Sequence, residues 1–110
     1  MILTTTEKVE GFVVEKYLGL VSGTDIYLVG GLLGGGMANQ EKLFNSALYT
    51  AKQHIEMSAN GLGADAVIGI QQSFASPGND NSMILVLTGT AVKLKKVEEK
   101  EEYEDTLPPL

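Results

Sequence analysis

Residues 61–70, with the sequence GLGADAVIGI, join a helical pattern to a strand pattern and so decide the plan of the fold. Before this stretch, apolar residues recur every three or four positions, and after Ala64 a short run is apolar at almost every position. Gly61 and Gly63 tolerate the backbone conformations of a tight reversal. The chain is therefore expected to leave a helix here and to enter a buried strand.

One amphipathic helix is predicted before this reversal. Asn39 is a predicted N-cap, Glu41 complements the helix dipole in the first turn, and the helix runs to about Asn60. Asn60 and Gly61 supply a left-handed C-cap, with Leu62 packed back over the last turn. The apolar stripe of this helix needs one surface to cover it. Its members are Phe44, Ala47, Leu48, Ala51, Ile55, Ala59 and Leu62.

Four strands are predicted around the helix, at residues 2–6, 12–29, 66–70 and 83–95. The turn-forming residues 22–25, SGTD, predict a bulge or hairpin within the second strand. Residues 73–82 form a turn-rich connection with a reversal at residues 77–80, PGND. The fourth strand is therefore expected to return antiparallel to the third.

Three of these strands, at residues 12–29, 66–70 and 83–95, carry apolar residues on both faces. An open sheet with one face in water alternates apolar and polar residues, and these strands do not. A single helix covers a single face, so the second face is expected to be covered by identical copies of the chain. The alternative is a miscounted strand or a sheet that curls onto itself.

Length and cysteine content limit the class of protein. A chain of 110 residues is expected to form one domain, and its small core gives modest stability alone. The absence of cysteine excludes disulfides, thiolate metal sites and cysteine nucleophiles, and fits a reducing compartment, with the cytoplasm as the expected location. No apolar run reaches the roughly 18 residues of a membrane helix, so a soluble protein is expected.

The negative charge is concentrated at the C-terminal end. The formal net charge is -6, and residues 98–110 account for -5 of it, which leaves -1 for residues 1–97. A nearly neutral body gives no field that would hold a polyanion, so no nucleic-acid partner is expected. We therefore divide the chain into a domain at residues 1–96 and an acidic tail at residues 97–110, which is expected to be disordered.

Four short stretches in register resemble a known family. They are TTT at 4–6 with EG at 10–11, YLGLVSG at 17–23, LGADAVIGI at 62–70 and GTAV at 89–92. On these residues the chain resembles the YbjQ-like family of small bacterial and archaeal proteins, which is described as heavy-metal-binding and functionally uncharacterised. The resemblance covers about residues 2–94 and excludes the tail.

The resemblance implies an α+β fold with a β-α-β-β subunit, similar in plan to dodecin. One long amphipathic helix would lie on a small, largely antiparallel sheet, and five subunits would assemble as a ring. Family members often carry a longer, more polar and basic segment before the helix, where this chain has the glycine-rich residues 30–36. A family function placed in that segment does not transfer directly.

The metal binding suggested by the family label has one candidate ligand, His54. Heavy metals need several convergent ligands such as cysteine or histidine, and this chain has no cysteine and one histidine. The residues three and four positions from His54 on a helix are Thr50, Ala51, Met57 and Ser58, none of them a carboxylate. A metal cluster would need symmetry-related His54 side chains, and an ordinary boundary histidine is the alternative. No cofactor is expected, and a metal ion is suggested by the family label alone.

A second candidate is the glycine run before the helix, in which Gly34, Gly35 and Gly36 could bind an anion through backbone amides. It fits neither GxxxxGK[ST] nor GxGxxG, and no lysine follows until Lys42. The alternative is a flexible loop, or one that lets backbones approach closely at an interface.

No catalytic constellation is found. The sequence has no GxSxG serine that His54 could activate. The carboxylates of residues 1–97 show no paired spacing, so an enzyme is not expected. Asp65 is interpreted as a residue that satisfies backbone donors. Two hypotheses remain. One is a homo-oligomeric ring that binds a small ligand or ion, and the other is a structural or protein-interaction module whose acidic tail recruits a partner.

Overall fold

A computed structural model describes residues 1–29, 37–76 and 81–97. Its elements in chain order are β1 Ile2–Leu3, β2 Phe12–Leu28, α1 Met37–Gly61, β3 Ala66–Ala75 and β4 Ser82–Lys96. The prediction of an α+β fold with one long helix is confirmed. The three long strands and the helix follow the β-α-β-β order, and β1 adds two strand residues before them.

The four strands form one mixed sheet in the order β1-β3-β4-β2. The central strand β4 runs antiparallel to both β2 and β3, while β1 is parallel to β3. The predicted antiparallel return of the last strand is confirmed. The predicted reversal at residues 77–80, the glycine run and the acidic tail lie outside the described residues.

The strand β2 is continuous, and the predicted interruption at residues 22–25 is wrong. Its pairing with β4 advances one residue at a time from Gly19 to Leu28, and its irregularities lie earlier, between Val14 and Lys16 and between Tyr17 and Gly19. The reason is tertiary. A Cβ atom built on Gly23 would overlap the carbonyl oxygen of Ala51 and lie 2.6 Å from the amide nitrogen of Ile55, so glycine serves close packing of the helix on the strand.

The strand β3 is longer than the predicted 66–70, and the first strand is shorter than the predicted 2–6. Pairing with β4 continues past a register shift between Ile68 and Gln71, where Gly69 has a left-handed φ of 61°. This bulge turns Ile70 towards the helix and lets polar residues extend the strand. At the other strand, residues beyond Leu3 still follow β3 through the hydrogen bond from the Gly69 amide to the Thr6 carbonyl, at 2.8 Å.

The helix limits differ from the predicted caps. The helix begins at Met37, so Asn39 lies inside the first turn and the predicted N-cap is wrong. At its end, the left-handed residue is Gly63, with φ of 77°, and not Gly61. The Gly63 amide donates to the Asn60 carbonyl at 3.0 Å, which satisfies one terminal acceptor. The side chain of Leu62 is exposed, so the predicted packing over the last turn is also wrong.

The main core lies between α1 and the sheet face that it covers. Four helix residues at four-residue spacing are almost fully buried, and three of them are alanines, which let the helix approach the strands closely. The buried residues of this core are Val21, Ala47, Ala51, Ile55, Ala59, Val67, Leu85, Leu87 and Ala91. No helix in the described ranges is long and apolar enough to cross a membrane.

Candidate functional site

The sheet face opposite the helix is the candidate site, because it carries exposed apolar side chains and a cleft. Val21 and Tyr27 of β2 and Leu85 and Leu87 of β4 belong to the helix-covered core, so the residues that alternate with them point to the other side. We call the part of that side that lies along residues 20–28 of β2, at the far end of the sheet, the open face. It is formed by Leu20, Ser22, Thr24, Ile26 and Leu28 of β2, Ile84, Val86 and Thr88 of β4, and Gln71, Ser73 and Ala75 of β3.

Apolar side chains on the open face are in contact with solvent. Leu20 is 85% exposed and Ile26 is 59% exposed, although both lie in the part of the edge strand β2 that pairs regularly with β4. None of the described residues that form this face is charged, whereas 20% of the whole chain is charged. Depletion of charge with retention of large apolar groups is typical of the centre of a protein interface.

The other end of the same side, here called the near end, lies around residues 12–17 of β2 and is covered by the chain itself. Residues 4–11, here called the roof loop, pass over it, and Val9 packs on a second small core. That core consists of the buried Ala66, Ile68 and Val92, with Val14 and Leu94 against it. The prediction that identical copies cover the second face is therefore wrong at this end, where the roof loop covers the sheet, and for the open face it stays a prediction.

A cleft of about 680 Å³ lies between the roof loop and the sheet. Its lining comes from the roof loop and from all three long strands. The lining residues are Glu7, Lys8, Val9, Phe12, Val13, Val14, Tyr17, Ile68, Gly69, Thr90 and Leu94. No motif in the sequence predicts this cleft. The one available signal was the pair Val9 and Phe12, two apolar residues that flank the polar end of the loop.

His54 lies on α1 with an exposed side chain and a structural partner. Its Nδ1 atom is 2.8 Å from the main-chain carbonyl oxygen of Thr24 in β2, a contact in which Nδ1–H donates. The bond ties the helix to β2 next to Gly23, where the backbone of the helix leaves no room for a Cβ atom. One ring nitrogen, Nε2, is then left for any other ligand.

Asp65 satisfies backbone donors, as interpreted from the sequence. Its Oδ2 atom accepts a hydrogen bond of 2.9 Å from the amide of Leu94, and its Oδ1 atom lies 3.7 Å from Nζ of Lys93. Its own amide donates to the Val92 carbonyl at 2.9 Å. These bonds fix the start of β3 against the end of β4 and give Asp65 a structural role.

Gly34, Gly35 and Gly36, the predicted anion-binding residues, lie outside the described residues. The described surface nearest to them in sequence is a shallow depression of about 560 Å³ between the end of β2 and the start of α1. It is lined by Tyr27, Val29, Gln40, Glu41, Phe44 and Asn45, a set without a lysine or arginine for an anion.

The described residues of one chain do not fit a heavy-metal site. Among residues 1–29, 37–76 and 81–97, no group of three or more histidine, cysteine, aspartate or glutamate side chains could hold a metal ion. Soft metals prefer thiolate and imidazole ligands, and the sequence offers His54 alone. His54 already donates through Nδ1, which leaves one coordinating atom.

Comparison with known proteins identifies close relatives over almost the whole chain. Residues 1–95 match the family model YbjQ_1, described as "Putative heavy-metal-binding". A UPF0145 protein of Nostoc punctiforme is 39% identical over 108 residues, which cover 86% of this chain and 100% of the relative. A UPF0145 protein of Anoxybacillus flavithermus is 37% identical over 106 residues, with 87% and 100% covered.

A solved structure shares the fold. It is the crystal structure of a protein of unknown function of the DUF74 family from Pediococcus pentosaceus. It matches with a TM-score of 0.60 and 19% sequence identity, over 86% of this chain and 98% of that chain. At this identity the likeness supports the arrangement of helix and strands and no more.

Proposed function

Because the chain belongs to the YbjQ family, we propose that it is a homo-oligomeric protein, a ring of five subunits by family resemblance, that binds a small ligand. Its copies would associate through the open face. Its role would be binding or scaffolding and not catalysis. This proposal includes no nucleic-acid partner, since residues 1–97 carry a net charge of only -1.

The open face is the observation that carries this proposal. Full burial of a leucine or isoleucine side chain contributes about 1.5–3 kcal/mol, and Leu20 and Ile26 leave most of that contribution unused in a single chain. A small domain has about 5–15 kcal/mol of total stability, so the unused part is large by comparison. Association of identical chains recovers it without another protein.

The uncharged character of the face supports the same proposal. Ser22, Thr24 and Thr88 stand between the apolar residues and can bond to the matching groups of a second copy. Two like surfaces without charge do not repel each other, whereas a face with unpaired charges would pay their desolvation on contact. The open face is therefore suited to contact with the same face of a second copy.

The ion-binding branch of the proposal is the weaker one. A metal site would need His54 side chains from several subunits, each offering Nε2, because the part of one chain that the structure describes has no group of three or more metal-binding side chains. The second candidate function is an interaction module whose acidic tail, net charge -5 over residues 98–110, recruits a basic partner. The charge concentrated in that segment is the observation that favours it.

Native mass spectrometry of the purified full chain separates these functions. A multi-subunit ring that retains one small-molecule adduct per chain or per ring is the expected result. A ring whose mass increases in steps on addition of Zn²⁺ or Cu²⁺, and does so less in a His54→Gln variant, would favour the ion. A ring without a small-molecule adduct would favour the interaction module if a partner protein co-purifies with the full chain but not with a variant whose tail glutamates are changed to glutamine.

A further inference from the structure

We propose that the cleft beneath the roof loop binds a flat, uncharged aromatic small molecule. This inference rests on the proposed ligand-binding function and names the site and the ligand class. It concerns the near end of the sheet face, whereas assembly concerns the open face at the far end. An experiment can therefore contradict ligand binding in the cleft without contradicting assembly through the open face, and the reverse.

The cleft is held open by main-chain hydrogen bonds. The Gly69 amide donates to Thr6 O at 2.8 Å, the Phe12 amide to Val9 O at 3.1 Å, and the Val97 amide to Gly11 O at 3.0 Å. Within the roof loop, the Thr6 hydroxyl donates to the Lys8 carbonyl at 2.6 Å. A roof that is fixed at both ends costs little ordering entropy when a ligand binds.

Strand irregularities give the cleft its width. Both register shifts of β2, between Val14 and Lys16 and between Tyr17 and Gly19, fall on residues that line or adjoin it. The bulge of β3 at Gly69 lies across from them. Bulges bend and twist strands and recur beside binding sites. The resulting volume of about 680 Å³ is within the range of about 300–1,000 Å³ found for small-molecule sites.

The lining determines the ligand class. Val9, Ile68 and Leu94 contribute an apolar surface that belongs to the second core. Two aromatic side chains also line the cleft with open surface, Phe12 at 37% exposed and Tyr17 at 68% exposed. Neither forms a ring contact with another aromatic side chain of the described residues. Such rings stack on a flat apolar molecule at offset or edge-on geometry.

The charges around the cleft favour a ligand without net charge. Glu7 and Lys8 are the charged residues in the lining, and they offset each other. No ion pair joins either of them to another side chain in the described residues. The other polar side-chain groups of the lining are the hydroxyls of Thr90 and Tyr17, each of which can bond to a hydroxyl, amine or carbonyl of the ligand.

Fluorescence titration of the full chain with N-phenylnaphthylamine, an uncharged flat probe, tests this inference. Saturable binding of one probe per chain is expected. Phe12→Ala and Tyr17→Ala should each weaken it about fivefold, as expected for loss of one aromatic stacking partner. Met57→Ala, an exposed apolar truncation on the helix, is the matched control and should change the dissociation constant less than about twofold. Circular dichroism confirms that the variants are folded.

Three results would overturn the inference. One is the absence of saturation, and another is an equal loss in Ile26→Ala and Phe12→Ala, which would place the probe on the open face. The third is binding of anilinonaphthalenesulfonate, the anionic analogue, more than about tenfold tighter than the uncharged probe, which would assign an anion site. Native mass spectra of the same samples keep the proposals apart. A ring without probe contradicts the cleft alone, and a single chain with probe bound contradicts the assembly alone.

Discussion

The two faces of the sheet have similar side chains and opposite surroundings. Val21 is 6% exposed beneath the helix, while Leu20, its neighbour in the same strand, is 85% exposed on the open face. Alternation of side chains along a strand puts the two residues on opposite sides, and only one side has a helix. Composition alone thus does not tell which face is covered by the helix and which face is exposed.

Truncation in the helix-covered core should have the largest effect. Ile55 is fully buried between α1 and β2, so Ile55→Ala should lower the free energy of unfolding by about 2–5 kcal/mol. The control Met57→Ala removes a side chain from the exposed side of the same helix and should change it by less than about 0.5 kcal/mol. Urea denaturation measures both. Equal losses would mean that the helix does not cover the sheet as described.

A charge on the open face should act on assembly and not on the subunit. Ile26→Asp would place an unpaired carboxylate in the proposed interface and should raise the dissociation constant of the oligomer at least about 100-fold, or about 2.8 kcal/mol. Sedimentation velocity over a dilution series measures this change. The control Lys52→Asp changes an exposed helix residue and should leave the constant within about twofold. If Ile26→Asp assembles like the parent chain, the interface lies elsewhere.

Glycine should be required where the helix meets β2 and dispensable at the helix end. Gly23→Ala forces a Cβ into the main chain of Ala51 and Ile55 and should cost about 1–3 kcal/mol. Gly61→Ala meets nothing within 4 Å and lies in the helix, so it should be neutral or add about 0.5–1 kcal/mol of stability. Thermal unfolding of the two variants compares them directly. A neutral Gly23→Ala would contradict the close packing.

Loss of the Asp65 side chain should have the smallest effect. Asp65→Ala leaves the Leu94 amide without its side-chain acceptor and should cost about 1 kcal/mol. Asp65→Asn keeps an acceptor oxygen and should cost less, while Lys93→Gln removes only an exposed ion pair and should cost about 0–0.5 kcal/mol. Chemical denaturation ranks the three. If Lys93→Gln costs as much as Asp65→Ala, the ion pair and not the amide bond is the stabilising contact.

The helix and the strand directions were predictable because they depend on local patterns. The stripe that contains Ala47, Ala51, Ile55 and Ala59 has helical spacing, and all four residues are buried. The antiparallel return of β4 was likewise predicted correctly. Strand limits were predicted less well. Residues 22–25 have turn propensity but continue the strand, because Gly23 fits beneath the helix. In β3, pairing with β4 keeps polar residues such as Gln71 in the strand.

The cleft could not be predicted, because its lining is assembled from segments distant in sequence. Lys8, Tyr17, Gly69 and Leu94 meet only after the sheet has formed and its bulges have opened it. Tyr17 and Gly69 belong to stretches that carry the family resemblance, but neither stretch is a ligand-binding motif with recognisable spacing. His54, by contrast, stood out in the sequence as the single histidine, and the structure gives it a hydrogen bond to Thr24 in place of a cluster.

Solvent access to the open face is the most direct test of the claim that a second copy covers it. The chain has no cysteine, so Ile26→Cys and Met57→Cys each introduce a unique thiol, one on the open face and one on the outer side of the helix. At micromolar chain concentration, Ile26→Cys should react with a maleimide at least about tenfold more slowly than Met57→Cys, and the difference should disappear on dilution. Equal rates at every concentration would show that the open face stays in water, and would contradict the account.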